Sequence, residues 1–293
     1  MTNSAARALK TNRTYNIGVL FVDERRSGLA HEYFSSVLES LKVEAEAGGY
    51  DITFINRNVG KKATTYLQHC QYRGVDGVVI ACVDFDDPQV LELVNSKLPV
   101  VTIDHVFNNR AAVVSDNVRG MEELVRYVYA KGHRRIAFIH GEQTAVTENR
   151  LTGFYRACDA LELEIPDAYI REGVYHDPDR CAELTRELLR LPEPPTCILM
   201  PDDFSSIGGR NAIHRMDLRL PEDISVAGYD GIQIASVMSP ALTTYRQDTQ
   251  ALGRTAAAKL IELIEKPRTA LVDRVLIPGH LVEGASVRAI ETL

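Results

Sequence analysis

The stretch 131-KGHRRIAFIHGEQTAVTENRLTGFYRACDALEL-163 holds the unit from which the fold is read. Residues 134–141 form a short, mostly apolar run that suits a strand, and after a polar turn the apolar residues of 147–163 recur at helical spacing. A strand followed directly by a longer helix is half of a β-α-β unit, in which the strands run parallel and the helix covers the sheet. Working outward, a helical pattern at 117–132 precedes it, and strand candidates at 168–172, 196–201 and 224–229 alternate with helical patterns at 179–191 and 205–217. An earlier round shows the same grammar. Strand candidates at 15–22, 51–55, 76–82, 99–104 and 111–115 alternate with helical stretches at 31–49, 63–74 and 88–97, two of which run into glycine where a C-cap belongs. No linker rich in Gly, Ser or Pro separates the rounds near Ser115. After a strand at 243–247 come an Ala/Leu-rich helix at 248–266 and an extended segment at 272–287. These must be added to lobes already built, so the chain is expected to pass between lobes more than once. The fold expected is α/β, with two doubly wound parallel-sheet lobes. Because ligands of such sheets bind at the carboxyl ends of the strands, a ligand cleft is expected between the lobes, closing by hinge motion.

Composition narrows the function. At 293 residues with 45% hydrophobic content, the chain has material for two cores, and 33 basic against 40 acidic residues give a net charge of −7. That charge opposes a phosphate backbone, so the chain is not expected to grip nucleic acid unaided. The five cysteines are scattered without C-x-x-C spacing, which fits reduced thiols in a cytosol. The N-terminus lacks the apolar core of a signal peptide, and nothing later approaches a membrane span; a cytoplasmic protein without membrane contact is expected. The eight histidines form no ligand cluster, the glycine pairs match no phosphate-binding loop, and no nucleophile elbow appears. Neither a metal, a cofactor nor an enzymatic activity is expected.

The segments 16-NIGVL-20, 116-DNVRG-120, 131-KGHRRIAFIHG-141, 150-RLTGF-154, 221-PEDISVAGYDG-231 and 239-SPALTTYRQD-248 resemble, in order and spacing, the effector-binding core of lactose/galactose-repressor (LacI/GalR) regulators. The resemblance implies the type I periplasmic-binding-protein fold. Its N-terminal lobe would hold 14–115 and 246–277, its C-terminal lobe 116–245 and 278–293. Residues 1–13 resemble the hinge-helix linker of these repressors, in which Asn3 and Leu9 would be the DNA contacts, Leu9 as the apolar wedge in a minor groove; a tail without structure is the plainer alternative. A helix-turn-helix headpiece is expected to be absent from this chain, so operator DNA would be reached only through that missing part. The function implied is the ligand-sensing, homodimeric core of a transcriptional repressor that responds to a small metabolite, a sugar first and a purine second. A transport-type extracellular sugar-binding protein is the alternative.

The resemblance also marks site residues. Arg150, at the start of a helix, would bind two sugar hydroxyls or a carboxylate with its fork of donors, and its removal is expected to weaken binding without unfolding the chain; a surface arginine is the alternative. Asp230 ends a strand in the G-Y-D motif, where a carboxylate accepts from ligand donors, unless it only caps a helix. Asp202 stands where many relatives carry Asn, which implies a ligand rich in donors, and either Asp202 or Asp203 would cap the helix near Ser205. Asp104 is the matching acid of the first lobe, with capping as the alternative. Gln247 lies beside a crossing and either meets ligand or ties the crossing strands. Tyr33, Phe34 and Tyr175 would offer flat walls for a sugar face or purine, although an aromatic in a helix also serves the core. His31 lies just before the first two.

Overall fold

The computed structural model describes residues 13–22 and 31–290. These divide into two compact units, one of the residues up to Ser115 with Asp248–Ile277, the other of Asp116–Gln247 with the residues from Pro278 onward. The chain therefore changes unit three times. Arg246 and Gln247, given above to the first lobe, lie in the second unit: β12 (Thr243–Arg246) runs parallel to β11 (Ser225–Asp230), and Gln247 N donates to Asp230 O, extending that ladder by one residue.

In the first unit, β1 (Asn16–Phe21), β2 (Asp51–Phe54), β5 (Gly77–Ala81), β6 (Val100–Ile103), β7 (Ala111–Ser115) and β13 (Arg274–Ile277) form one parallel sheet in the order β13-β7-β6-β5-β1-β2. Helices α1 (Glu32–Ala47), α2 (Tyr66–Arg73) and α3 (Pro88–Val94) connect its strands. The helical stretch read at 63–74 starts late, because Lys62–Ala63 (β4) pairs with Asn58–Val59 (β3) as a hairpin and Thr65 then caps α2 through a capping box with Gln68. Gly74 ends that helix at φ 63, the left-handed C-cap that glycine adopts without penalty.

The second unit repeats the plan. Strands β8 (Ile136–His140), β9 (Ile170–Glu172), β10 (Cys197–Leu199), β11 and β12 lie parallel, and β14 (His280–Val282) closes the edge antiparallel to β12. The strand read at 168–172 is shorter because Asp167–Tyr169 forms a 3₁₀ turn. Helices α4 (Asn117–Ala130) and α5 (Ala145–Ala160) pack together, as do α6 (Pro178–Leu189) and α7 (Asp203–Arg215). Alternation along the strands separates the two layers. Phe138 and Leu199 join Met121, Leu124 and Phe154 of α4 and α5, while Ile139 and Ile198 join Leu184 and Ile213 of α6 and α7. A short helix, α8 (Gln233–Val237), follows β11, and α9 (Thr249–Glu265) returns the chain to the first unit against α1. Each sheet is thus covered by helices, and its strand ends are left to loops.

Candidate functional site

Second-unit strands end within a few residues of one another on a set of buried polar groups. Arg150 sits in α5, whose N-terminus is capped by Thr144, and its side chain points inward at 4% exposure. Its Nε donates to Asn117 Oδ1 at 2.9 Å and its Nη1 to the carbonyl of Pro201, after β10, at 2.8 Å. Nη2 lies 3.6 Å from Asp230 Oδ1. The guanidinium stacks 3.7 Å from the ring centre of Tyr229 and 5.3 Å from that of Tyr175. A charge so placed is compensated by a carboxylate, carbonyl dipoles and aromatic faces rather than by water.

Asp230 is the last residue of β11 and takes φ 107, a region that side chains rarely adopt. Its Oδ1 accepts from Gln247 Nε2 at 2.7 Å. Burial raises its carboxyl to about 6, against the opposing pull of Arg150. Gln247 Oε1 is buried and has no donor among the described residues, and the same holds for the Tyr229 hydroxyl. Orphaned buried polar atoms are rare in native proteins and call for an explanation.

Tyr175 follows β9 and is fixed at both ends. Its N–H donates to Glu142 Oε2, and its hydroxyl meets Thr147 Oγ1 at 2.8 Å. Thr147 gives its own proton to Glu142 O, so Tyr175 is the donor of that pair. The ring occupies the space that a side chain at Gly141 would need, which is why glycine stands there.

Asp202 is fully buried, and its oxygens are taken by the protein. It caps α7 by accepting from Ser205 N at 2.7 Å, accepts from Ser205 Oγ at 2.7 Å and from His176 N at 2.9 Å, and pairs with the His176 ring at 3.5 Å. Burial pushes its carboxyl up, but His176 and Ser205 outweigh this and hold it at about 2. Burial lowers the His176 ring, and Asp202 reverses that, for a net rise. Of the two aspartates read as possible caps, Asp202 is the one that caps α7, and it also holds His176.

The first unit gathers its own set. Tyr33 donates to Asp104 Oδ2 at 3.1 Å, and Ser115 N to Asp104 Oδ1 at 2.7 Å, so Asp104 ties α1 to the end of β7. Phe34, half-buried, packs edge-on against Phe21 and Tyr33 and beside the buried His31. Arg150, Asp202, Tyr175, Asp230 and Gln247 therefore share the second unit, and His31, Tyr33, Phe34 and Asp104 the first. Asn3 and Leu9 lie outside the described residues. Sequence reasoning passed over Asn117, Glu142, Thr147, His176 and Tyr229. Of these, His176 beside Tyr175, Tyr229 beside Asp230 in the G-Y-D motif, and Asn117 in 116-DNVRG-120 stood next to something already marked. His133 is a buried core histidine held by Thr196 and Arg288 O, with its ring lowered to about 4 by burial. Among the described residues no cluster could hold a metal, and no helix is long and apolar enough to cross a membrane.

Residues 125–287 match the model of the periplasmic binding protein-like domain. Over 98% of its length the chain is 29% identical to the HTH-type transcriptional repressor PurR of Escherichia coli, covering 85% of that repressor. Among solved structures it resembles a complex of the transcriptional regulator CelR with cellobiose, at 25% identity and a TM-score of 0.80, with 96% of this chain and 89% of that one covered. It also resembles a LacI-family regulatory protein from Chloroflexus aggregans, at 26% identity and a TM-score of 0.81, with 93% and 98% covered.

Proposed function

Because the chain belongs to the periplasmic binding protein-like family and is homologous to LacI-family transcriptional regulators, we propose that its ligand-sensing regulatory core binds a small effector at the Arg150–Asp230–Gln247 set. The observation that carries this reading is the buried, donor-poor group at the strand ends, in which Gln247 Oε1 lacks a partner beside a carboxylate and a stacked guanidinium. A polyhydroxylated sugar suits it best: its hydroxyls donate to Asp230 and Gln247, and its apolar face lies on the Tyr175 ring. The cellobiose carried by CelR is in keeping with that class. A purine is the second candidate, since PurR is a relative and ring N–H groups also donate.

In this reading the effector biases two arrangements of a cytoplasmic homodimer, and it does so only through a difference in its affinity for them. Operator DNA is, in this reading, a partner of the full regulator, in keeping with the HTH-type repressor among the relatives. The relatives are transcriptional regulators, and that favours a sensor over an enzyme.

A thermal-shift screen of monosaccharides, disaccharides including cellobiose, sugar phosphates and purines tests it. An effector at 100 times its Kd adds about 2.7 kcal/mol of stability. A shift with a sugar supports the proposal, a shift confined to purines moves it to the second candidate, and no shift across the panel counts against it.

A further inference from the structure

Gly228, within β11, has no side chain, and the Asp203 carboxylate lies over it: a Cβ there would collide with Asp203 Oδ1 and crowd Leu242. From that place Asp203, itself fully buried, reaches two elements. Its Oδ2 accepts from Ile232 N at 3.0 Å, just past the end of β11, and its Oδ1 lies 2.6 Å from Thr244 Oγ1 in β12. Between Gly228 and Ile232 stand Asp230 at φ 107 and Gly231 at φ 70. Such a conformation persists only where its surroundings over-determine it, and Asp203 is the side chain that grips the far end of this step.

We propose that Asp203 is the positioning residue of the effector site: by holding Ile232 N–H on one side and Thr244 on the other, it fixes the Asp230–Gly231 step and with it the direction of the Asp230 carboxylate. The proposal rests on the reading of Asp230 as the effector-facing acid. Asp203 has two acidic neighbours. Asp230 and Asp202 are the acids that face it, and burial together with the Asp230 charge raises its carboxyl well above the usual range. In the ionised form Oδ2 accepts from Ile232 N and Oδ1 from Thr244 Oγ1; in the neutral form the proton on Oδ1 is given to Thr244 Oγ1 instead, so both contacts exist in either form. An asparagine can make the same two bonds, its oxygen accepting from Ile232 and its NH₂ donating to Thr244. An alanine can make neither.

The test uses no effector, so its result stands whether or not one is found. Amide hydrogen exchange and the titration of ¹³C-labelled aspartate carboxyls are measured in the parent, Asp203→Asn, Asp203→Ala and Thr244→Val. In Asp203→Ala the Ile232 and Gln247 amides are expected to exchange about tenfold faster or more, with β8 and β10 unchanged, and the Asp230 titration to move. In Asp203→Asn both amides stay within about threefold of the parent. Thr244→Val shows the alanine pattern at smaller amplitude and carries the test if Asp203→Ala fails to fold. The proposal is overturned if Asp203→Asn behaves like alanine, if neither alanine nor valine loosens Ile232, or if exchange rises evenly across the sheet.

Discussion

Arg150 lies almost wholly out of water on the ring of Tyr229, with Asp230 as its carboxylate partner. The sequence reading treats it as a ligand arm whose loss leaves the fold intact, and its burial corrects that: removing one member of a buried pair leaves the other uncompensated. Arg150→Ala is therefore expected to lose about 3–5 kcal/mol of stability at neutral to alkaline pH. Because Asp230 titrates at about 6, it becomes neutral below that value and no longer needs its partner. The loss measured by denaturant titration should thus be smaller at about pH 5 than at about pH 8; equal losses would mean that Arg150 and Asp230 are not coupled. Arg150, Asp230 and Gln247 could be marked from the sequence because each stands at a motif position tied to a strand end or helix start, and the structure brings the three side chains together. His176 and Asp203 were not, since what defines them is contact with distant residues: His176 N reaches Asp202 across 26 positions and Asp203 reaches Thr244 across 41.

At the scale of elements, α7 shows how a cap and an ion pair share one carboxylate. Asp202→Asn keeps an acceptor for Ser205 N and loses the charge that faces His176. The Asp202 carboxyl is held at about 2, below its ordinary 3.8, so its contribution is present above 3.8 and is lost as pH falls toward 2. The His176 ring is raised above 6.5, so its contribution is present below 6.5 and disappears as pH rises past its folded value. The melting-temperature gap between parent and Asp202→Asn should therefore be widest at about pH 5 and should shrink by about pH 9. A gap that widened toward alkaline pH would contradict the pairing. Parallel strands were readable as apolar β-branched runs because both faces are buried, as Gly77–Ala81 shows throughout its length. The hairpin at Asn58–Val59 and Lys62–Ala63 and the helix at Gln233–Val237 were not, being too short to display a period. Segment 272–287 read only as extended, because nothing local says that β13 joins one sheet and β14 the other.

For the whole molecule, two α/β units in one chain were legible from the repeated alternation, whereas the exact point of each crossing depended on ladder bonds such as Gln247 N to Asp230 O. The proposed homodimer belongs to this scale. Val43 on α1 and Phe54 on β2 are 54% and 48% exposed in the first unit, apolar surface of the kind a second copy would cover. Sedimentation at micromolar concentration should give twice the chain mass of 32.6 kDa, with Phe54→Glu shifting it toward monomer; a parent sedimenting only as monomer would remove the dimer from the account. The central claim is that the second unit's strand-end set receives the effector. Calorimetric titration of the compound selected by thermal shift into the parent, Asp230→Asn and Gln247→Leu tests it most directly, with circular dichroism confirming that each variant is folded. The account predicts that both substitutions weaken binding about tenfold or more, or 1.4 kcal/mol each; binding by both folded variants within about twofold of the parent would place the effector elsewhere.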